Sequence, residues 1–104
     1  MQIQVNTDKN IEGSEGLTAH CTELLNDALE RFDEQITRLE VHLSDENGSK
    51  EGGDDKRCLI EVRLKGLNPI AVTHHANTIH LAVKGASEKV TNSLEKVIGH
   101  QRAH

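Results

Sequence analysis

The chain has 104 residues, 35% of them hydrophobic, with a formal net charge of −5 and a single aromatic side chain, Phe32. That length fits one domain, residues 1–104, with one modest core; no apolar run nears the roughly 20 residues of a membrane span, and Met1-Gln2-Ile3-Gln4-Val5 lacks the basic and apolar parts of a secretion signal, so a cytoplasmic protein without a membrane partner is expected. The near-absence of aromatics argues against base stacking as a binding mode, but residues 1–55 hold four basic against fourteen acidic side chains while residues 56–104 hold eight against three, which keeps a polyanion-facing surface open.

Gln2–Asn6 alternates polar and apolar residues, with Ile3 and Val5 on one face, and predicts a short first strand. Thr7–Gly13 is polar and turn-like, and Ser14 is placed to cap a helix whose first turn carries Glu15. Leu17, Cys21, Leu24, Leu25, Ala28, Leu29 and Phe32 then recur at spacings of three and four, predicting an amphipathic helix to about Asp33. Its outer face is acidic, with Glu15, Glu23, Asp27, Glu30, Asp33 and Glu34.

Leu39, Val41 and Leu43 alternate with Arg38, Glu40 and His42 in a second strand with one buried face. Asp45–Asp55 is polar and glycine-rich and predicts an exposed loop. The third strand, Lys56–Lys65, points Cys58, Ile60, Val62 and Leu64 inward and Arg57, Glu61, Arg63 and Lys65 outward. Gly66-Leu67-Asn68-Pro69 is a turn, and a fourth strand carries Ile70 and Val72 inward and ends near His74. Asn77 is placed to cap a last helix, in which Ile79, Val83, Ala86, Val90, Leu94 and Val97 repeat at helical spacing and Gly99 marks a possible end.

The order β-α-β-β-β-α defines an α+β fold. Its first two strands need a crossover and are expected parallel, the rest antiparallel, giving a four-stranded mixed sheet with both helices on one face.

No catalytic constellation stands out: there is no phosphate loop, nucleophile elbow or metalloprotease helix, so neither an enzyme nor a small-molecule substrate is expected, and no cofactor is implied. Cys21 and Cys58 read as buried free thiols, with a disulfide or metal role as the alternative. His74, His75 and His80 lie near one strand–helix junction, where a metal site or pH sensor competes with ordinary surface histidines, although their spacing matches no standard metal motif. Lys84, Lys89 and Lys96 lie along the last helix, five and seven residues apart. At about 100° per residue, Lys89 and Lys96 fall on nearly the same side and Lys84 is turned away by about 140°. Arg57, Arg63 and Lys65 share a parity on strand three.

The element order, the opening Met1–Val5 and the segment from Ile70 onward resemble the ribosome hibernation-promoting factor and ribosome-associated inhibitor A family. In the last helix, Ser87-Glu88-Lys89-Val90-Thr91-Asn92-Ser93-Leu94-Glu95-Lys96 stands where the family has a pattern like Ile-Asp-Lys-Leu-x-Arg-Gln-Leu-x-Lys; Lys89, Leu94 and Lys96 match, and Asn92 takes the place of the Arg. The resemblance implies a fold like that of double-stranded-RNA-binding domains. It also implies a stress or stationary-phase factor that binds small-subunit rRNA and blocks the tRNA and mRNA path, in the manner of the short family members. Lys89 and Lys96 are carried over as RNA contacts, and Lys84, Arg63, Lys65 and Arg102 are added from charge alone. The chain departs from the family in its acidic first helix, residues 15–34, which offers a second reading: a protein-interaction module that docks a basic partner there.

Overall fold

The computed structural model describes residues 1–9, 11, 15–46 and 55–102, with side chains through residue 99. The elements are β1 (Gln2–Thr7), α1 (Glu15–Leu29) with a 3-10 turn at Glu30–Phe32, β2 (Ile36–Asp45), β3 (Lys56–Leu64), β4 (Ile70–Ala76) and α2 (Ile79–Arg102). The sheet order is β1-β2-β3-β4, with β1 parallel to β2 and the other pairs antiparallel. The expected α+β fold is what the chain adopts.

The two-residue side-chain period sorts the sheet into two faces. Leu39, Val41 and Leu43 of β2 and Cys58, Ile60, Val62 and Leu64 of β3 are buried beneath the helices. Cys21, Leu25 and Leu29 of α1 and Ala82, Val83, Ala86, Val90, Leu94 and Ile98 of α2 close the core from above. Both cysteines are buried and unpaired. The other sheet face carries no helix; its rows run Gln4–Glu40–Glu61 and Asn6–His42–Leu59 across the strands.

Several boundaries differ from the sequence reading. The first helix tightens at Leu29, where φ is −117° and ψ 6°, into the 3-10 turn, so it does not run unbroken to Asp33. β4 continues past His74 to Ala76 because Ala76 still pairs with Lys56 at the start of β3. At its other end β3 stops at Leu64, and the Lys65 amide instead donates to the Gln35 carbonyl at 3.0 Å. Thr78, not Asn77, caps α2: its Oγ1 accepts the Leu81 amide at 3.1 Å. Gly99 does not end α2, which runs on to Arg102. Ser14 as a cap lies outside the described residues, as does most of the Asp45–Asp55 segment. The two ends of that segment are not exposed, as the loop reading expected. Asp45 and Asp55 retain 6% and 7% of their accessible surface.

Strand directions give the molecule two ends. β1 and β2 run from the end holding Met1 and Ile36 to the end holding Thr7 and Asp45; β3 and α2 finish back at the first end, with Leu64 and Arg102. The overall dimensions are 50 × 25 × 20 Å.

Candidate nucleic-acid interface

A polyanion-binding surface needs cations that are exposed and not spent on internal carboxylates. β3 delivers Arg63 and Lys65, both exposed, to the Met1/Ile36 end of the sheet. α2 runs back toward that end and carries exposed Lys96 there. β2 adds Arg38, which the sequence reading left out. The regular β2–β3 register sets Arg38 directly opposite Arg63, the last such pair before a bulge offsets Ile36 against Leu64, and the Thr37 hydroxyl donates to the Arg63 carbonyl at 3.1 Å. No local sequence signal shows this pairing, because the register between two strands is set by their long-range pairing. Arg38 Nη2 is shared between Glu40, 2.9 Å away, and the Gln4 side-chain oxygen. Arg31, at the same end, is engaged by Glu95 and lies 4.7 Å above the Phe32 ring. The backbone of Arg102 ends α2 here; its side chain lies outside the described residues.

The two other helix lysines are placed differently. Lys89 is exposed but bends back to the sheet edge, where Nζ donates to the Thr73 carbonyl of β4 at 2.7 Å. Lys84 is exposed near the opposite end and borders two surface grooves: one with His74, Asn77, Leu81 and Glu88, the other with Leu24, Asp27, His80 and Ser87. The six predicted residues therefore do not form one patch. Arg63, Lys65 and Lys96 share an end, and Lys84 stands apart.

The basic surplus of residues 56–104 is also partly consumed internally. Lys56 Nζ sits 3.2 Å from both the Asp45 and Asp55 carboxylates, and the hydrogen bond to Asp45 foremost raises its pKa above the ordinary lysine value. Arg57 Nε lies 3.8 Å from Glu46. α1 presents Glu15, Glu23 and Asp27 to solvent and carries no Lys or Arg.

The three histidines near the strand–helix junction do not converge. His74 points under α2, so close that a Cβ on Gly85 would stand 2.1 Å from its ring. His75 points to the other sheet face and meets Glu46 at 3.1 Å. His80 pairs with His20 of α1, with 2.8 Å between ring nitrogens. The metal or pH-sensor reading of His74, His75 and His80 as one site is not supported by this geometry.

Comparisons with known proteins agree with the fold. The family model described as sigma 54 modulation protein / S30EA ribosomal protein matches residues 3–102, and the chain belongs to that family. Its fold resembles the Thermus thermophilus Protein Y N-terminal domain (TM-score 0.74, 18% identity, covering 93% of this chain and 99% of that one). It also resembles a ribosomal subunit interface protein from Coxiella burnetii (TM-score 0.70, 20% identity, covering 95% of this chain and 99% of that one). No curated protein sequence matches the chain.

Proposed function

We propose that the protein is a ribosome-associated stress or stationary-phase factor of the cytoplasm, acting as one domain over residues 1–104. It binds rRNA phosphates of the small subunit and lowers translation by occupying the tRNA and mRNA path, without catalysis. The observation that carries this reading is membership of the S30EA ribosomal protein family over residues 3–102. Arg63, Lys65 and Lys96, exposed toward one end of the molecule, are the phosphate contacts this reading puts first. Lys89, Lys84 and Arg102 complete the proposed contact set. Among the described residues no helix is long and apolar enough to cross a membrane.

The test is co-sedimentation with ribosomes on sucrose gradients at low and high salt. Phosphate contacts release counterions, so four to six of them give a log–log salt slope of roughly −3 to −5. Binding to small subunits that salt strips and that Lys96→Glu abolishes supports the reading. A protein that stays at the top of the gradient at low salt overturns it.

A second reading rests on the unrelieved acidity of α1: a protein-interaction module that has lost rRNA binding and docks a basic partner there. It expects reversal of Glu23, Asp27 and Glu30 to Lys to cost more function than reversal of Lys96.

A further inference from the structure

The helix-free face of the sheet brings together three metal-ligating side chains that the ribosome reading does not use. Glu40 of β2 stands directly opposite Glu61 of β3, and His42 follows two residues along β2 on the same face. His42 Nε2 lies 3.6 Å from Glu40 Oε2 and 3.9 Å from Glu61 Oε1. The three donor atoms all fall within 4.8 Å of one another. We propose that Glu40, His42 and Glu61 form a binding site for a single transition-metal dication of the zinc type on the open face of the sheet.

The pairing itself argues for a cation. Two carboxylates directly opposite each other on one sheet face repel, and strand register holds these two there. Arg38 takes only one side of the problem. Its Nη2 meets Glu40 Oε1 at 2.9 Å, which leaves Oε2 turned toward His42. Arg38 is anchored in turn by Gln4. It therefore orients one ligand from outside the triad, as hydrogen-bonded neighbours of metal ligands commonly do. The remaining neighbours on this face are Asn6 and Leu59, which flank His42, Ala71, beside Glu61, and two arginines of β3: Arg63, opposite Arg38 and two residues from Glu61, and Arg57, two residues from Leu59 and 3.8 Å from Glu46.

The donor set selects the ion. Calcium and magnesium favour all-oxygen shells, whereas one imidazole with two carboxylates suits zinc and its first-row neighbours. Bonds of about 2.0–2.2 Å place adjacent donors about 3.0–3.6 Å apart, so the three atoms need only close in slightly. Half-exposed glutamates allow that by rotamer change, and the open face leaves the other coordination positions to water.

The test is isothermal titration of the full chain with zinc chloride at neutral pH, with magnesium chloride as comparison. The proposal expects one zinc per chain at this site, little response to magnesium, and at least a tenfold loss of affinity in Glu61→Gln and in His42→Gln. Glu61→Gln keeps its size and removes a repulsion, so it folds; a circular-dichroism melt checks this. His20→Gln, which breaks the His20–His80 pair, leaves zinc binding unchanged. No zinc binding, equal binding by Glu61→Gln and the natural chain, or loss in His20→Gln alone overturns the proposal.

Discussion

Lys89 Nζ donates to the Thr73 carbonyl at 2.7 Å, tying the middle of α2 to the free edge of β4. One of the two lysines that match the family pattern is thus a structural tie as well as a proposed RNA contact. Lys96, two turns on and equally exposed, has no such tie among the described contacts. Lys89→Ala should lower stability by about 1 kcal/mol, and Lys96→Ala by less than about 0.5 kcal/mol. Both should weaken ribosome binding. Urea midpoints alongside gradient sedimentation separate the two effects, and equal midpoints for the two variants would remove the structural role of Lys89.

Strand number, order and face were legible because alternation in Leu39–Leu43 and Cys58–Leu64 leaves a single choice of buried side. Connection lengths fixed which pairs run parallel. The contact set was less legible, because availability depends on partners far apart in the chain. Lys56 counts as a surface cation in sequence and is spent on Asp45 and Asp55. Arg38 looked like one outward residue among several, and only the pairing register of β2 with β3 aligns it with Arg63. His74 and His75 are adjacent in sequence yet point to opposite faces of β4, as the two-residue period of a strand demands.

At Gly85, α2 packs directly against His74 of β4, and a Cβ there would meet the His74 ring at 2.1, 2.3 and 2.6 Å. Because Cγ is among the atoms met, the whole ring must swing aside and not merely its tip. Gly85→Ala should cost about 1–3 kcal/mol, despite the higher helix propensity of alanine. Adding His74→Ala should recover most of that loss, since it removes the obstacle. The double-mutant cycle in urea is the measurement; strictly additive costs would contradict the packing argument.

Burial pushes the Cys58 thiol up to about 12 from 9.0, and burial likewise raises Cys21. Both groups therefore fold in the protonated form. Their contribution to stability is fully present below pH 9.0, the unfolded value, and is lost as pH rises toward the folded one. Stability should fall between about pH 9 and 12, and Cys58→Ala should flatten that fall even though its cavity lowers stability at neutral pH. Thiol-reactive dyes should label the native chain slowly and the urea-unfolded chain at once. Rapid labelling of both thiols in the native state would contradict their burial.

Asp45 closes β2, Asp55 precedes β3, and Lys56 stands between their carboxylates at 3.2 Å from each. Both aspartates are more than nine-tenths buried, so their charges are poorly screened by water. Removing one partner from a buried ion cluster costs far more than removing an exposed pair, since the remaining charges keep their desolvation penalty. Arg31–Glu95 is the exposed comparison, with both side chains more than half accessible. Lys56→Met should therefore lower the urea midpoint clearly more than Arg31→Met, whose effect stays within about 1 kcal/mol. Adding Asp45→Asn to Lys56→Met should restore part of the loss, because it removes one of two like charges now facing each other. The same cluster adds to the alkaline fall. The Lys56 pKa is raised above 10.5, mainly by Asp45, so its stabilisation is complete below that pH and disappears as pH rises through the higher folded value. If Lys56→Met and Arg31→Met shift the midpoint equally, Lys56 is an ordinary surface cation, and the junction of β2 and β3 is held by the strand ladder alone.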